Sequence, residues 1–181
     1  MIRVFLIALV GLFALAMVAH HLPAELRPAG GDDASLLGRW EGVWDGTLVS
    51  YRPDGTAAET LRARYEYRRL SDSEQTLVMT YHAEGGATRG YTGSQALVGE
   101  VFERNVAQAD GKPGRLAGRR VGDAIFWHHR DASTGAEETY REQILSTPDG
   151  DLYTIDGAGS GGKGGMLLYE GRFHRVDRAG G

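Results

Sequence analysis

The clearest structural signal in this sequence is an alternation that reads Leu61-Arg62-Ala63-Arg64-Tyr65-Glu66-Tyr67-Arg68-Arg69. Ala63, Tyr65 and Tyr67 take every second position, and charged residues lie between them. Successive side chains of a β-strand point to opposite faces of the sheet, whereas the period of a helix would scatter both sets around its circumference. The stretch therefore predicts a strand that is buried on one face and hydrated on the other.

Other stretches from residue 36 onward show the same strand character, and turn residues separate them. Pro53-Asp54-Gly55 and Pro148-Asp149-Gly150 are such turns, because Pro presets φ and Gly accepts a positive φ. The predicted strands are Gly38–Tyr51, Leu61–Arg69, Gln75–His82, Ser94–Val106, Arg115–Val121, Ala124–Arg130, Glu137–Ser146, Asp151–Ile155 and Met166–Val176.

Short connections of this kind favour antiparallel neighbours, and closure into a barrel removes the exposed edges of a long meander. We therefore expect a mainly β fold for residues 36–178: a single antiparallel up-and-down β-barrel of about 8–10 strands.

An apolar segment precedes this domain. Arg3 is followed by an uninterrupted apolar run from Val4 to Ala19. The run is long for a signal-peptide core of about 7–15 residues and short for a spanning helix of roughly 20. We expect residues 1–22 to form an apolar helix that is either a signal peptide or a membrane anchor, and residues 23–35 to form a flexible tether rich in Pro, Gly, Ala and Asp.

The position of Arg3 predicts where the domain lies. A basic residue before the apolar run keeps the N-terminus on the cytoplasmic side. The domain is then expected in the periplasm or another extracytoplasmic space, either anchored to the inner membrane or secreted.

Composition narrows the possible functions. A net charge of -4 and a pI near 5.9 do not provide the basic surface that nucleic acid requires. The absence of Cys excludes disulfides, thiolate metal ligands and a cysteine nucleophile. The glycine-rich stretch Gly157–Gly164 lacks the final Ser or Thr of a phosphate loop, and we interpret it as a flexible loop before the last strand.

No arrangement typical of hydrolysis is present either. Glu137 and Glu138 are adjacent on a predicted strand and so point to opposite faces, and no Ser lies in a Gly-x-Ser-x-Gly elbow. We predict no catalytic residue, although the sequence does not exclude an enzyme.

The start of the domain carries a family resemblance. Gly38-Arg39-Trp40-Glu41-Gly42 resembles the Gly-x-Trp opening of calycin barrels, which include lipocalins, fatty-acid-binding proteins and nitrobindin-like domains. Its continuation through Trp44 and Gly46 is similar to the nitrobindin-type Gly-x-Trp-x-Gly-x-Gly-x-Gly, with Trp44 in place of a glycine. The resemblance implies a lipocalin-like barrel in which Trp40 closes one end and an arginine of the last strand packs over it. Arg175 is the candidate for that structural role.

Strand alternation then predicts which side chains face the interior. The inward positions form an aromatic lining that suits a small hydrophobic or amphipathic ligand. Arg104 could hold a ligand carboxylate, or it could pair with Glu100, which the same alternation turns inward. The predicted ligand-binding residues are Tyr65, Tyr67, Tyr81, Phe102, Arg104, Trp127, His129 and Tyr140.

Two alternatives use the same barrel. The first is a haem or metal site built on a histidine, which the nitrobindin resemblance implies without identifying the axial ligand with His174 or any other position. His128 and His129 are adjacent on a strand and cannot readily bind one metal together, so we predict no metal site and no resident cofactor. The second is an envelope structural module that has a filled interior and binds another envelope protein. A hollow interior favours the ligand-binding hypothesis over this second alternative.

Overall fold

Ten antiparallel strands form one closed barrel in the computed structural model of the chain, which describes residues 33–108, 113–131, 134–160 and 165–176. A short helix, α1 (Asp33–Gly38), precedes the barrel. The strands are β1 (Gly42–Tyr51), β2 (Ala57–Arg69), β3 (Glu74–Ala83), β4 (Thr88–Val98), β5 (Val101–Gln108), β6 (Pro113–Val121), β7 (Ala124–Arg130), β8 (Glu137–Thr147), β9 (Gly150–Ser160) and β10 (Met166–Val176). Each strand pairs with its neighbours in sequence, and β1 closes the ring against β10. The prediction of a single antiparallel up-and-down barrel is confirmed.

The alternation in β2 is confirmed in detail. Leu61, Ala63, Tyr65 and Tyr67 are buried, whereas the side chains between them are exposed or half-buried. Burying one face of each strand and hydrating the other is what fixes the register, because a slip of one residue would turn every buried ring into solvent.

The prediction of one continuous strand from Ser94 to Val106 is wrong, because this stretch belongs to two strands, β4 and β5. β4 ends at Val98 and β5 begins at Val101, and Val98 pairs directly with Val101 across a turn in which Gly99 has a φ of 63°. A two-residue turn changes the inward positions from odd to even residue numbers. Glu100 therefore lies exposed in the turn and does not face the interior beside Arg104.

The start of the first predicted strand and the end of the predicted tether also change. The first strand begins at Gly42 rather than Gly38, because the helix α1 ends at Gly38 and the amides of Arg39 and Trp40 bond back to the carbonyls of Leu36 and Leu37, each at 3.1 Å. The predicted tether 23–35 overlaps α1 in its last three residues, and the rest of it lies outside the described residues, as does the apolar segment 1–22. Within the described part of the chain, no helix is long and apolar enough to span a membrane.

The predicted loop Gly157–Gly164 is wrong in its first half. Residues 157–160 belong to β9, where they pair with both β8 and β10, whereas residues 161–164 lie outside the described residues.

The barrel is tightly filled at the end where β1 begins. Leu36 and Leu37 of α1 are buried there together with Trp40. The side chains that fill this end are almost inaccessible to solvent: Trp40, Trp44, Tyr67, Leu77, Phe102, Ile125, Trp127, Ile144, Tyr153 and Phe173. The interior cavity of the barrel lies toward the opposite end.

Candidate functional site

A cavity of about 300 Å³ occupies the barrel toward the end where β1 finishes. Most of its wall is apolar or aromatic, with charged side chains at a few points. The aliphatic wall consists of Leu48, Leu61, Met79, Val106, Leu116 and Ile155; the tyrosines are Tyr65, Tyr81, Tyr91, Tyr140 and Tyr169; the charged residues are Arg89, Arg104, Glu138 and Glu142. The volume and composition are those of a small-molecule pocket.

A glycine in β9 shapes one side of this cavity. Gly157 lies between Tyr140 of β8 and Tyr169 of β10 in the cross-strand register. A Cβ at this position would lie 2.4 Å from the Cβ of Tyr140 and 2.7 Å from the Cζ of Tyr169. The missing side chain therefore leaves room over β9 for the Cβ of Tyr140 and the ring of Tyr169, whose ring centroids lie 6.1 Å apart.

A buried ion pair closes the floor of the cavity. The guanidinium of Arg104, on β5, meets the carboxylate of Glu142, on β8, in a bidentate arrangement with Nη1–Oε1 and Nη2–Oε2 distances of 2.7 and 2.6 Å. Both side chains are almost completely buried. The guanidinium also lies over the ring of Trp127, 4.2 Å from its centroid, in a cation–π contact.

The hydrogen bonds of Arg104 use every donor that it has. Its Nε and Nη2 donate to Oε1 of Gln95 at 3.1 and 2.6 Å, and its Nη1 donates to the hydroxyl of Tyr140 at 3.1 Å. With the two bonds to Glu142, these contacts match the five N–H groups of a guanidinium.

The carboxylate of Glu142 is equally saturated. Besides Arg104, its Oε1 accepts from the hydroxyl of Tyr153 at 2.8 Å and its Oε2 from the indole of Trp127 at 2.9 Å. Burial is the largest single influence on the pKa of Arg104 and lowers it, but the attraction of Glu142, together with Tyr140, Tyr67 and the hydrogen bond to Glu142, raises the pKa above its ordinary value. The floor of the cavity is thus a fixed, internally neutralised pair.

Tyrosine hydroxyls supply the other polar groups of the wall. The hydroxyls of Tyr65 and Tyr81 lie 2.7 Å apart, and that of Tyr81 points at the sulfur of Met79 at 3.6 Å. Tyr169 donates to Oε1 of Glu138 at 2.8 Å. Burial raises the pKa of each of these tyrosines, so the wall presents neutral hydroxyls.

The structure brings part of the predicted ligand-binding set to the cavity. Tyr65, Tyr81, Arg104 and Tyr140 line it. The remaining predicted residues, Tyr67, Phe102, Trp127 and His129, are not part of its wall. Contact of any of these residues with a ligand stays a prediction.

The residues outside the wall have structural partners. Tyr67, Phe102 and Trp127 belong to the packed layer beneath the cavity, where the hydroxyl of Tyr67 lies 3.1 Å from that of Tyr153. His129 lies near the strand end, and its Nδ1 donates to the carbonyl of Arg115 at 2.8 Å.

Glu142 is the main residue that the sequence analysis missed. It lies two positions after Tyr140 on β8 and therefore shares its inward face, which is the signal that could have identified it. The predicted pairing of Arg104 with Glu100 is wrong, because the turn after β4 places Glu100 on the surface.

The predicted contact between Arg175 and Trp40 is also wrong. The Cζ of Arg175 lies 4.3 Å from the ring centroid of Trp44, which is its direct cross-strand partner. Its guanidinium donates to the carbonyls of Glu41 and Arg39, the latter at 3.0 Å. Trp40 is fully buried and packs edge-on against Tyr153, with centroids 6.4 Å apart.

The histidines do not fit a haem site in this cavity. His128 and His174 are exposed, and His174 lies on the outer face of β10 next to the buried Phe173. None of the residues described in the cavity wall is a histidine. Within the described ranges, no group of His, Asp and Glu side chains is placed to bind a metal ion.

Comparison with known proteins supports the architecture. No protein-family model matches the sequence, and no curated protein matches it. Among solved structures, Rv2717c from M. tuberculosis superposes with a TM-score of 0.58 at 16% identity, covering 82% of this chain and all (100%) of that one. The S-type phycobiliprotein lyase CPES from Guillardia theta gives 0.58 at 11% identity, covering 79% and 92% of the two chains.

At these identities the similarity concerns the fold alone. The protein is a ten-stranded, closed, antiparallel barrel with a cavity at one end, and its resemblance to calycin-like barrels is confirmed at the level of fold.

Proposed function

We propose that this protein binds a small hydrophobic or amphipathic molecule in the barrel cavity, as a lipocalin-like carrier or sensor. The observation that carries the proposal is the hollow end of the barrel, where an apolar and aromatic wall surrounds about 300 Å³ and a few polar groups are fixed in place. The alternative of a structural module rested on a filled barrel, so it receives no support from this cavity.

The polar network supports binding rather than catalysis. Arg104 and Glu142 use their hydrogen-bonding groups on each other and on neighbouring side chains. A general acid or base must be able to reach a proton of the substrate. Neither member of this pair is free to do so.

Export is the second part of the proposal. The apolar run Val4–Ala19 after Arg3 would direct the barrel out of the cytoplasm, either on an anchor or after cleavage. A reporter enzyme that is active only outside the cytoplasm, fused after Gly181, tests the location. The N-terminal sequence of the purified protein then distinguishes a cleaved signal from a retained anchor.

Filling the cavity tests the binding site directly. Met79 lines the cavity on β3, whereas the preceding Val78 points outward and is 42% exposed. We expect Met79→Trp to weaken binding of the uncharged fluorescent probe Nile red by about tenfold or more, because the indole takes the ligand's space. Fluorescence titration measures the affinity.

Val78→Trp is the matched control, since it adds the same ring to the opposite face of the same strand. It should leave the affinity unchanged. Circular dichroism confirms that both variants fold. Equal affinities for the folded wild type and the folded Met79→Trp variant would place the probe outside this cavity and would contradict the proposal, as would the absence of any binding by the wild type.

A further inference from the structure

We infer that the cavity selects uncharged or cationic amphiphiles and rejects carboxylates, with Glu138 as the residue that receives the polar head group. This inference rests on the proposed binding function and specifies its ligand class. Three features of the described residues support this ligand class. The donors of Arg104 on the cavity floor are all in use, the other charged wall residues do not offer a free cation, and the tyrosines beside Glu138 provide aromatic faces and a hydroxyl donor.

The floor offers no anion site. A buried arginine in a barrel would ordinarily be the group that holds a ligand carboxylate. Here all five N–H groups of Arg104 already have acceptors, two of them on Glu142. A ligand carboxylate would have to displace Glu142 or lie beside it as an unpaired like charge, and both are unfavourable in a buried site.

The other charged wall residues favour the same ligand class. Arg89 donates to Glu59 at 2.9 Å, and the two side chains are 54% and 40% exposed, so the charge of Arg89 is offset and hydrated. Glu138 is half-buried in the wall, and Tyr169 is its hydrogen-bond donor. Among the residues that the structure describes, no cation lies within ion-pair distance of Glu138. Its carboxylate can therefore accept further hydrogen bonds from a ligand hydroxyl or ammonium group.

The tyrosines near Glu138 reinforce this preference. The rings of Tyr140 and Tyr169 flank the same part of the wall, and the faces of aromatic rings attract cations. The hydroxyl of Tyr140 accepts from Arg104, which leaves its own proton to be donated to an uncharged oxygen. The site thus combines apolar walls, a carboxylate acceptor and a neutral donor.

The experiment uses three probes with one tail and different head groups: decylamine, decanol and decanoate. At about pH 7 the first is cationic, the second neutral and the third anionic. Each displaces Nile red from the full-length protein, and fluorescence gives its affinity. We expect decylamine to bind most tightly and decanoate to bind at least about tenfold more weakly than decanol, because an unpaired carboxylate would be brought beside Glu138 and Glu142.

Two variants test the role of Glu138. Glu138→Gln keeps an acceptor for Tyr169 but removes the charge, so it should weaken decylamine binding by about tenfold and change decanol binding by no more than about twofold. Glu137→Gln is the matched control: Glu137 precedes Glu138 on β8, its side chain is 54% exposed on the outer face, and its removal should leave the order of the three probes unchanged.

The outcomes separate this inference from the proposed function. If decanoate binds best, or if Glu138→Gln leaves the affinity for decylamine intact, the charge preference is overturned while the cavity remains a binding site. If no probe binds and Nile red is not taken up, both the charge preference and the proposed binding function are overturned.

Discussion

Arg104 and Glu142 form the most consequential contact of single residues in this protein. The pair lies inside the barrel, with no more than 3% of either side chain exposed. A buried pair contributes little net stability compared with apolar residues, but removing one partner leaves an uncompensated charge. Replacing either member of this pair is therefore expected to destabilise the protein strongly.

We predict that Glu142→Gln lowers the free energy of unfolding by about 3–5 kcal/mol, since it leaves Arg104 charged and buried without its counter-ion. Urea denaturation measures the change. Glu170→Gln is the surface control: Glu170 pairs with Arg172 at 2.7 Å, but both side chains are more than 40% exposed, at 46% and 43%. That control should cost at most about 1 kcal/mol. A comparable small loss for Glu142→Gln would show that the buried pair is not held as described.

A second prediction concerns Gly157. We expect Gly157→Ala to cost about 1–3 kcal/mol, because its Cβ would meet Tyr140 and Tyr169 at distances below 3 Å. Gly90→Ala, in β4, is the matched control, since nothing lies within 4 Å of a Cβ at that position. It should change the stability by no more than about 0.5 kcal/mol. Denaturation curves compare the two, and equal stabilities would mean that the tyrosine pair moves aside without cost.

Single residues also show what the sequence could and could not predict. Alternation correctly placed Arg104, Tyr65 and Tyr140 inside, because burial of one face imposes a period of two. It could not identify Glu142 as the partner of Arg104, because β5 and β8 are brought together only by the closure of the ring. The alternation also could not show that position 157 requires a glycine, because the side chains that leave no room for a Cβ there come from the two neighbouring strands.

At the scale of elements, turns decided the accuracy of the prediction. Pro and Gly predict turns such as Pro53-Asp54-Gly55 correctly, whereas the connection Gly99-Glu100 has a single glycine between Val98 and Val101 and gives no comparable turn signal. The short helix α1 was missed because six residues are too few for helical periodicity to show.

The first and last strands of the barrel, β1 and β10, are joined by a specific side-chain contact. Arg175 of β10 lies over Trp44 of β1 and donates to the carbonyls of Arg39 and Glu41, which join α1 to β1. We expect Arg175→Lys to cost about 1–2 kcal/mol, because an ammonium cannot reproduce the planar stacking and the forked donors. Arg62→Lys, on the exposed outer face of β2, should have little effect. Thermal denaturation tests both, and identical melting curves for Arg175→Lys and wild type would show that the charge alone suffices.

At the scale of the whole molecule, the sequence predicted closure but not the cavity. Closure follows from the general cost of exposed strand edges, which applies to any long meander. Whether the interior is filled depends on the sum of many side-chain volumes across ten strands, and this sum is not visible in the alternation of any one of them. The structure divides the interior into a packed end beneath Trp40 and a hollow end beneath the mouth.

The tyrosines of this interior make the stability of the entire barrel sensitive to high pH. Burial raises the pKa of six of them above the ordinary value: Tyr65, Tyr67, Tyr81, Tyr140, Tyr153 and Tyr169. In the unfolded chain the same groups lose their protons near pH 10, so above that pH the unfolded state binds fewer protons than the folded state. The stability that these groups contribute is fully present below about pH 10 and is lost as the pH rises above it.

We therefore predict that the urea midpoint stays nearly constant from about pH 7 to 9 and falls steeply above about pH 10. The ultraviolet absorbance of tyrosinate, recorded together with circular dichroism, should show these hydroxyls ionising in the same transition in which the barrel unfolds. The chain in concentrated urea provides the reference, since its tyrosines should all titrate near pH 10. Ionisation of most tyrosines near pH 10 while the β-sheet signal persists would mean that water reaches the interior and that the packed end is not sealed by α1 and Trp40.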